Sequence, residues 1–163
     1  MATALLSLGS NMGDSIATIN LALKKIGAIA GVELLKKSSL YRTKPWGYKE
    51  QQDFINAACM INTKLTALEL LHRLQDLEQE FHRERLFKYG PRTLDLDIIA
   101  FDDEVVDSDE LTLPHPHMHE RAFVLVPLVE IARDYIIEPY HLSIKELRDK
   151  LSKKELEEAQ RCA

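Results

Sequence analysis

Segments of strand and helix periodicity alternate in the order β-α-β-β-α-β, and that order limits the topology more than any other feature of the chain. Residues 2–8 read as a strand that runs into a turn-forming cluster, Gly9-Ser10-Asn11-Met12-Gly13-Asp14. Asp14 or Ser15 caps a helix whose apolar stripe is Ile16, Ile19, Leu23, Ile26 and Ile29, and Gly31 closes it. Residues 32–41 form a strand, 42–52 a loop without period, and Phe54 to Asn62 the next strand. Thr66-Ala-Leu-Glu69 is a capping box opening a helix with Leu70, Leu74, Leu77 and Phe81 on its buried stripe. A second irregular stretch, 82–93, leads into a strand from Leu94 to Phe101.

After this pattern, Glu104 to Asp107 is a short edge strand and 111–119 a Pro/His loop, and Glu120 to Ile131 is an apolar helix that Pro127 kinks or breaks. Ser143-Ile-Lys-Glu146 and Ser152-Lys-Lys-Glu155 are capping boxes that open charged C-terminal helices. No repeat or linker interrupts the chain, so residues 1–163 read as a single domain. The expected architecture is α+β: a ferredoxin-like αβα sandwich with a central, mainly antiparallel sheet and the two main helices on one face. Cys59 and Cys162 make no disulfide framework and no metal spacing, the start lacks a basic leader, and no apolar run approaches the ~20 residues of a membrane span. The expectation is therefore a cytoplasmic chain without a membrane partner. With 21 basic against 26 acidic residues the formal charge is −5, which argues against a broad nucleic-acid-binding face but leaves room for a local anion site.

That local site is suggested by Asp95-Leu96-Asp97. Alternation along a strand sends both carboxylates to one side, about 6–7 Å apart, while Leu94, Leu96 and Ile98 enter the core. Paired hard oxygen ligands suit Mg²⁺, which completes its octahedron with water and substrate phosphates. An isolated pair of this kind is also what a solvated sheet face looks like. Arg83, Arg85, Lys88 and Arg92 fall just before the strand, in the stretch expected to be irregular, and His115, His117, His119 and Arg121 follow in the next long loop. Guanidinium groups match phosphate oxygens, so acids and cations together describe a polyphosphate–Mg²⁺ site. The histidine spacing around Pro116 does not suit zinc, and neither a P-loop nor a Rossmann glycine pattern is present. Trp46, Tyr48, Tyr89, Phe54, Asn56 and Phe123 supply aromatic surface and an amide suited to a planar heteroaromatic ligand, although Phe54 and Phe123 taken singly read as core residues.

Several strings then stand out in order: Leu6-Ser-Leu-Gly-Ser-Asn11, Arg42-Thr-Lys-Pro-Trp-Gly47, Asp53-Phe-Ile-Asn-Ala-Ala58, Gly90-Pro-Arg-Thr-Leu-Asp-Leu-Asp97, and Leu113-Pro-His115 through Arg121-Ala-Phe123. Over residues 4 to 131 the chain resembles the 6-hydroxymethyl-7,8-dihydropterin pyrophosphokinase family. The resemblance implies Mg²⁺-dependent transfer of pyrophosphate from ATP to the pterin hydroxymethyl oxygen, with release of AMP, as a step of folate biosynthesis. It implies a monomer with small-molecule substrates, in some cases part of a folate-enzyme fusion. It implies that Asp95 and Asp97 bind two Mg²⁺ ions and that Thr43, Pro45, Trp46, Phe54, Asn56, Tyr89 and Phe123 hold the pterin. ATP would be held by Gln75, Glu78, Arg83, Arg85, Arg92, Ile98, Thr112, His115 and Arg121, with Arg83, Arg85, Arg92, Asp95 and Asp97 as the catalytic set. Departures from the family pattern are Glu110 where some members have arginine, Tyr89 where others have tryptophan, Pro116 where some have tyrosine, and a slightly shorter second loop. A simple Mg²⁺-dependent phosphotransferase, yielding ADP, and a non-catalytic nucleotide- or RNA-binding module remain the alternative readings.

Overall fold

Residues 2–10 bury side chains in both directions, with Ala4, Leu6 and Leu8 to one side and Leu5 to the other, none more than 1% exposed. Only a strand covered on both faces accommodates that pattern. The computed structural model describes residues 1–11, 13–44, 53–87 and 94–162, the stretch 83–87 by its backbone alone. Along the chain come β1 (Ala2–Ser10), α1 (Ser15–Gly27), β2 (Val32–Lys37), β3 (Tyr41–Thr43), β4 (Phe54–Thr63), α2 (Ala67–Phe87) and β5 (Asp95–Phe101). A ribbon of β6 (Val106–Asp107) and β7 (Thr112–Leu113), a 3₁₀ turn at Met118–Glu120 and α3 (Ala122–Ala132) follow. The chain continues through β8 (Ile136–Ile137), β9 (Leu142–Ser143), α4 (Ile144–Asp149), α5 (Lys153–Glu157) and β10 (Gln160–Arg161).

β1 lies between β4 and β5, β4 carries β2 and β3 on its far edge, and β10 pairs with β3; every pairing is antiparallel. This is the ferredoxin-like arrangement. One face of the sheet packs Leu6, Leu8, Ile55, Ile61 and Leu96 against Ile19, Leu23 and Ile26 of α1 and Leu70, Leu74 and Leu77 of α2. The other face packs Leu5, Ala58 and Ile99 against Leu125, Leu128 and Ile131 of α3, with Ile144 and Leu147 of α4 alongside. The helix starts follow the capping logic of the sequence: Asp14 accepts the Ala17 N–H, and the boxes at Thr66/Glu69, Ser143/Glu146 and Ser152/Glu155 are all closed reciprocally.

Several expectations change. The segment 32–41 is two strands, because Ser38 interrupts the ladder: its N–H donates to the Ala58 carbonyl and its Oγ accepts the Ala58 N–H. α1 ends at Gly27 and not at Gly31, whose φ of +84° instead turns the chain into β2 while its carbonyl accepts from Lys64 N and Thr63 Oγ1. Ile16 is exposed, and the stripe is completed by Ala22 and Thr18. Pro127 lies inside α3 without breaking it.

The two-sided core makes the stability contrast on α2 sharp. Leu74, fully buried beneath the sheet, should lose about 3 kcal/mol on substitution by alanine, whereas Leu68→Ala, at a side chain 41% exposed, should change stability by less than about 0.5 kcal/mol. Urea unfolding midpoints of the two variants check the difference.

Candidate active site

α3 covers only part of the second sheet face. Beyond its reach the described residues leave the sheet open, and the small residues Ser7 and Gly9 of β1 are flanked by Phe54 and Asn56 of β4 and by Asp95 and Asp97 of β5. These residues floor a cleft of about 1300 Å³, walled by Arg42 and Thr43 of β3, by Arg121 and Phe123 at the start of α3, and by the C-terminal segment Lys154 to Gln160. In register, Tyr41, Asn56, Gly9 and Asp95 succeed one another across four strands, and Ala58, Ser7 and Asp97 form the next row.

The polar edge of the floor is preset. Asn56, 4% exposed, donates from Nδ2 to Thr43 Oγ1 at 2.8 Å. Its amide oxygen lies over Gly9, where an added Cβ would approach it to 3.1 Å. A glycine at this point leaves room for the amide. Phe54 and Phe123 are half-buried and line the cleft, so neither is a plain core residue, and the Arg121 guanidinium stands 5.6 Å from the Phe123 ring centroid.

Asp95 and Asp97 are both exposed on the open face while Leu94, Leu96 and Ile98 are buried on the other, as alternation requires. β5 is the edge strand here, and its outward Leu96 N–H donates to Glu78 Oε2 of α2 at 2.9 Å. Burial pushes the Glu78 carboxyl up to about 7, and the charges of Asp95 and Asp97 add to the shift against the Leu96 hydrogen bond. Glu78 therefore ties helix to strand behind the two carboxylates. Past Asp97, the register with β1 shifts between Leu5 and Leu6, leaving Ile99 as an extra residue on β5. Its carbonyl accepts the His115 N–H at 3.0 Å, docking the Pro/His loop beside Asp97.

His115 Nδ1 accepts the His117 N–H at 3.2 Å, which assigns the proton of the neutral ring to Nε2. Burial lowers the imidazole pKa, with Arg121 and His117 acting in the same direction and Asp97 opposing. His117 and His119 stand 3.6 and 3.4 Å from Glu120. Ile98, Thr112 and His115 line a second, smaller cleft of about 230 Å³ together with Leu71 and Glu110, and Asp97 belongs to both clefts. Glu110, the departure noted above, lies 2.9 Å from His72 Nε2 at this rim. Gln75 is exposed on α2 and lines neither cleft.

The basic stretch differs from expectation. α2 continues to Phe87, so Arg83 and Arg85 stand on its last turns and not in an irregular loop; the run His-Arg-Glu-Arg-Leu consists largely of good helix formers. Pro45, Trp46, Tyr48, Lys88, Tyr89 and Arg92 lie outside the described residues. Sequence reasoning missed Ser7 and Gly9, which strand alternation with Leu6 and Leu8 would have placed on the open face. It also missed the C-terminal wall, for which no local signal exists.

A family model described as 7,8-dihydro-6-hydroxymethylpterin-pyrophosphokinase (HPPK) matches residues 5–133. The chain belongs to the HPPK family. The chain is 44% identical to the 2-amino-4-hydroxy-6-hydroxymethyldihydropteridine pyrophosphokinase of Haemophilus influenzae over 84% of its own length and 86% of the relative's. It is 42% identical to the folic acid synthesis protein fol1 of Schizosaccharomyces pombe over 91% of its own length, but spans 20% of that longer protein. Among solved structures, wild-type HPPK-DHPS of Plasmodium falciparum superposes with a TM-score of 0.69 at 15% identity, covering 99% of this chain and 47% of that one. This HPPK-family fold matches the αβα arrangement described above.

Among the described residues no group of three or more His, Cys, Asp and Glu side chains gathers to hold a metal ion; Asp95 and Asp97 border the wide cleft as a pair of exposed carboxylates, hard oxygen donors of the type that Mg²⁺ takes.

The raised Glu78 pKa sets a pH dependence for the metal-free protein. Between about 4.5 and about 7 the unfolded chain has released the Glu78 proton while the folded chain retains it, so stability falls as pH rises through this window. Glu78→Gln should flatten the decline, as read from urea midpoints at about pH 5 and about pH 8 in chelator.

Proposed function

We propose that this chain transfers the pyrophosphoryl group of ATP to the hydroxymethyl oxygen of 6-hydroxymethyl-7,8-dihydropterin, releasing AMP, as a Mg²⁺-dependent step of folate biosynthesis. The observation that carries the proposal is the shared position of Asp97, which borders both the wide cleft with its aromatic and amide edge and the small cleft beside it. The chain's membership of the HPPK family supports the same reading.

In this proposal the pterin lies on the open sheet face between Phe54 and Phe123, with Thr43 and Asn56 satisfying the polar edge of its ring. Pro45, Trp46 and Tyr89 complete the pocket by family correspondence. The nucleotide occupies the small cleft against Ile98 and Thr112, with the triphosphate directed past Asp97; Gln75 and Glu78 of α2, which do not line that cleft, are assigned to the nucleotide by family correspondence alone. Asp95 and Asp97 would hold two Mg²⁺ ions, which supply charge screening of the triphosphate and Lewis-acid polarisation when bound. His115 Nε2–H acts as a neutral donor to a phosphate oxygen. Arg121, Arg83, Arg85 and Arg92 balance the charge of the transferred group and of the AMP leaving group. The pterin hydroxymethyl oxygen bonds to the β-phosphorus and releases its proton to solvent, as the bond from the β-phosphorus to the bridging oxygen breaks and that oxygen leaves on the α-phosphate of AMP. Small residues on the floor let the two substrates approach within reacting distance.

Residues 1–163 act here as one cytoplasmic pyrophosphokinase domain, monomeric in itself. The fusion relatives are consistent with such a domain also standing within longer folate enzymes. Among the described residues no helix is long and apolar enough to cross a membrane.

An AMP-release assay with ATP, Mg²⁺ and the reduced hydroxymethylpterin tests the proposal. Wild type should produce AMP and no ADP, chelation should abolish turnover, and Asp97→Ala should lower kcat/KM by roughly 100-fold or more with an unchanged far-UV spectrum. ADP as the nucleotide product, or near-normal turnover of Asp97→Ala, contradicts it.

A further inference from the structure

β3 is three residues long, yet it carries the Thr43 hydroxyl that orients Asn56, and it pairs with β4 directly opposite Phe54 and Asn56. A strand this short has few ladder bonds of its own with which to keep its place. Two further elements hold it. β10 pairs along its outer edge, Gln160 opposite Arg42 and Arg161 opposite Tyr41, and the Cys162 N–H donates to the Leu40 carbonyl at 2.8 Å.

From α3, Glu130 reaches the start of the same segment. Both of its oxygens lie 3.0 Å from the Ser39 nitrogen, one accepts from Ser39 Oγ at 3.0 Å and the other from Tyr41 Oη at 2.7 Å. Partial burial raises the Glu130 carboxyl, but the hydrogen bonds of Tyr41 and Ser39 and the charge of Arg161 outweigh it and hold the group below its ordinary value. It is an ionised acceptor at neutral pH. Tyr41, 8% exposed, stands opposite Asn56 in the register. Glu130, Ser39 and Tyr41 do not line the cleft, so whatever they contribute to it passes through β3. α3 itself is anchored by Leu125, Leu128 and Ile131 in the core, so its place does not depend on Glu130.

We propose that Glu130 is a positioning residue for the pterin half-site, acting through Tyr41 and together with β10 to keep β3 where Thr43 and Asn56 offer one fixed hydrogen-bonding edge to the ring. The inference rests on the pterin reading above. β10 lies beyond the residues matched by the family model, so part of the brace comes from the C-terminal segment.

Steady-state AMP release by wild type, Glu130→Gln and Tyr41→Phe, each shown folded by thermal unfolding, tests this. KM for the dihydropterin should rise about tenfold in Glu130→Gln and less in Tyr41→Phe, while KM for ATP stays within about twofold. An unchanged pterin KM in both variants overturns the inference, and so does an equal rise in both KM values, which would indicate general loosening. Should Glu130→Gln fail to fold, Tyr41→Phe decides alone. A wild type that releases no AMP removes the functional reading and this inference with it; an active wild type with unaltered variants removes the inference only.

Discussion

Burial of Leu94, Leu96 and Ile98 beneath α1 and α2 is the constraint on which the site depends. Each such side chain contributes about 1.5–3 kcal/mol, and a one-residue slip of β5 would exchange them for Asp95 and Asp97, carrying two carboxylates into a dry core. The hydrophobic effect therefore projects both acids onto the opposite face. No specific interaction of the carboxylates themselves is needed to aim them.

That face becomes a site because it is incompletely covered. α3 packs on Leu5, Ala58 and Ile99 and does not reach the far end of the same strands, which the described residues leave open and where Ser7 and Gly9 keep the floor low. The bulge at Ile99 then gives the Pro/His loop a carbonyl to dock on, which brings His115 next to Asp97. Glu78 closes the assembly from behind. Its half-buried carboxyl occupies the outward Leu96 N–H, and burial together with the two nearby acids raises its pKa.

Much of this was legible. The capping residues Asp14, Thr66, Ser143 and Ser152 act locally, through N–H groups within the first turn, and all four function as their spacing indicates. The same holds for the Asp95/Asp97 alternation and the shared face of Phe54 and Asn56. The misreadings also have physical causes. Charge density at Arg83 and Arg85 suggests a loop, but arginine, glutamate and leucine propagate a helix already nucleated upstream. Residues 32–41 have continuous strand propensity, and the break at Ser38 arises because its side chain takes over a partner that a ladder would have used.

The amino-acid sequence by itself determined the element order, the helix starts, and the sides of the strands on which the two acids and the aromatic–amide pair project, because these follow from periodicity and contacts within a turn or a pleat. Only the tertiary structure decided that α3 stops short of covering the sheet, that Asp97 stands between two clefts, and that Glu130 and β10 brace β3. These join residues some ninety to more than a hundred positions apart, such as Ser39 to Glu130 and Arg42 to Gln160, and no local pattern encodes a pairing whose partners meet only after the sheet has formed.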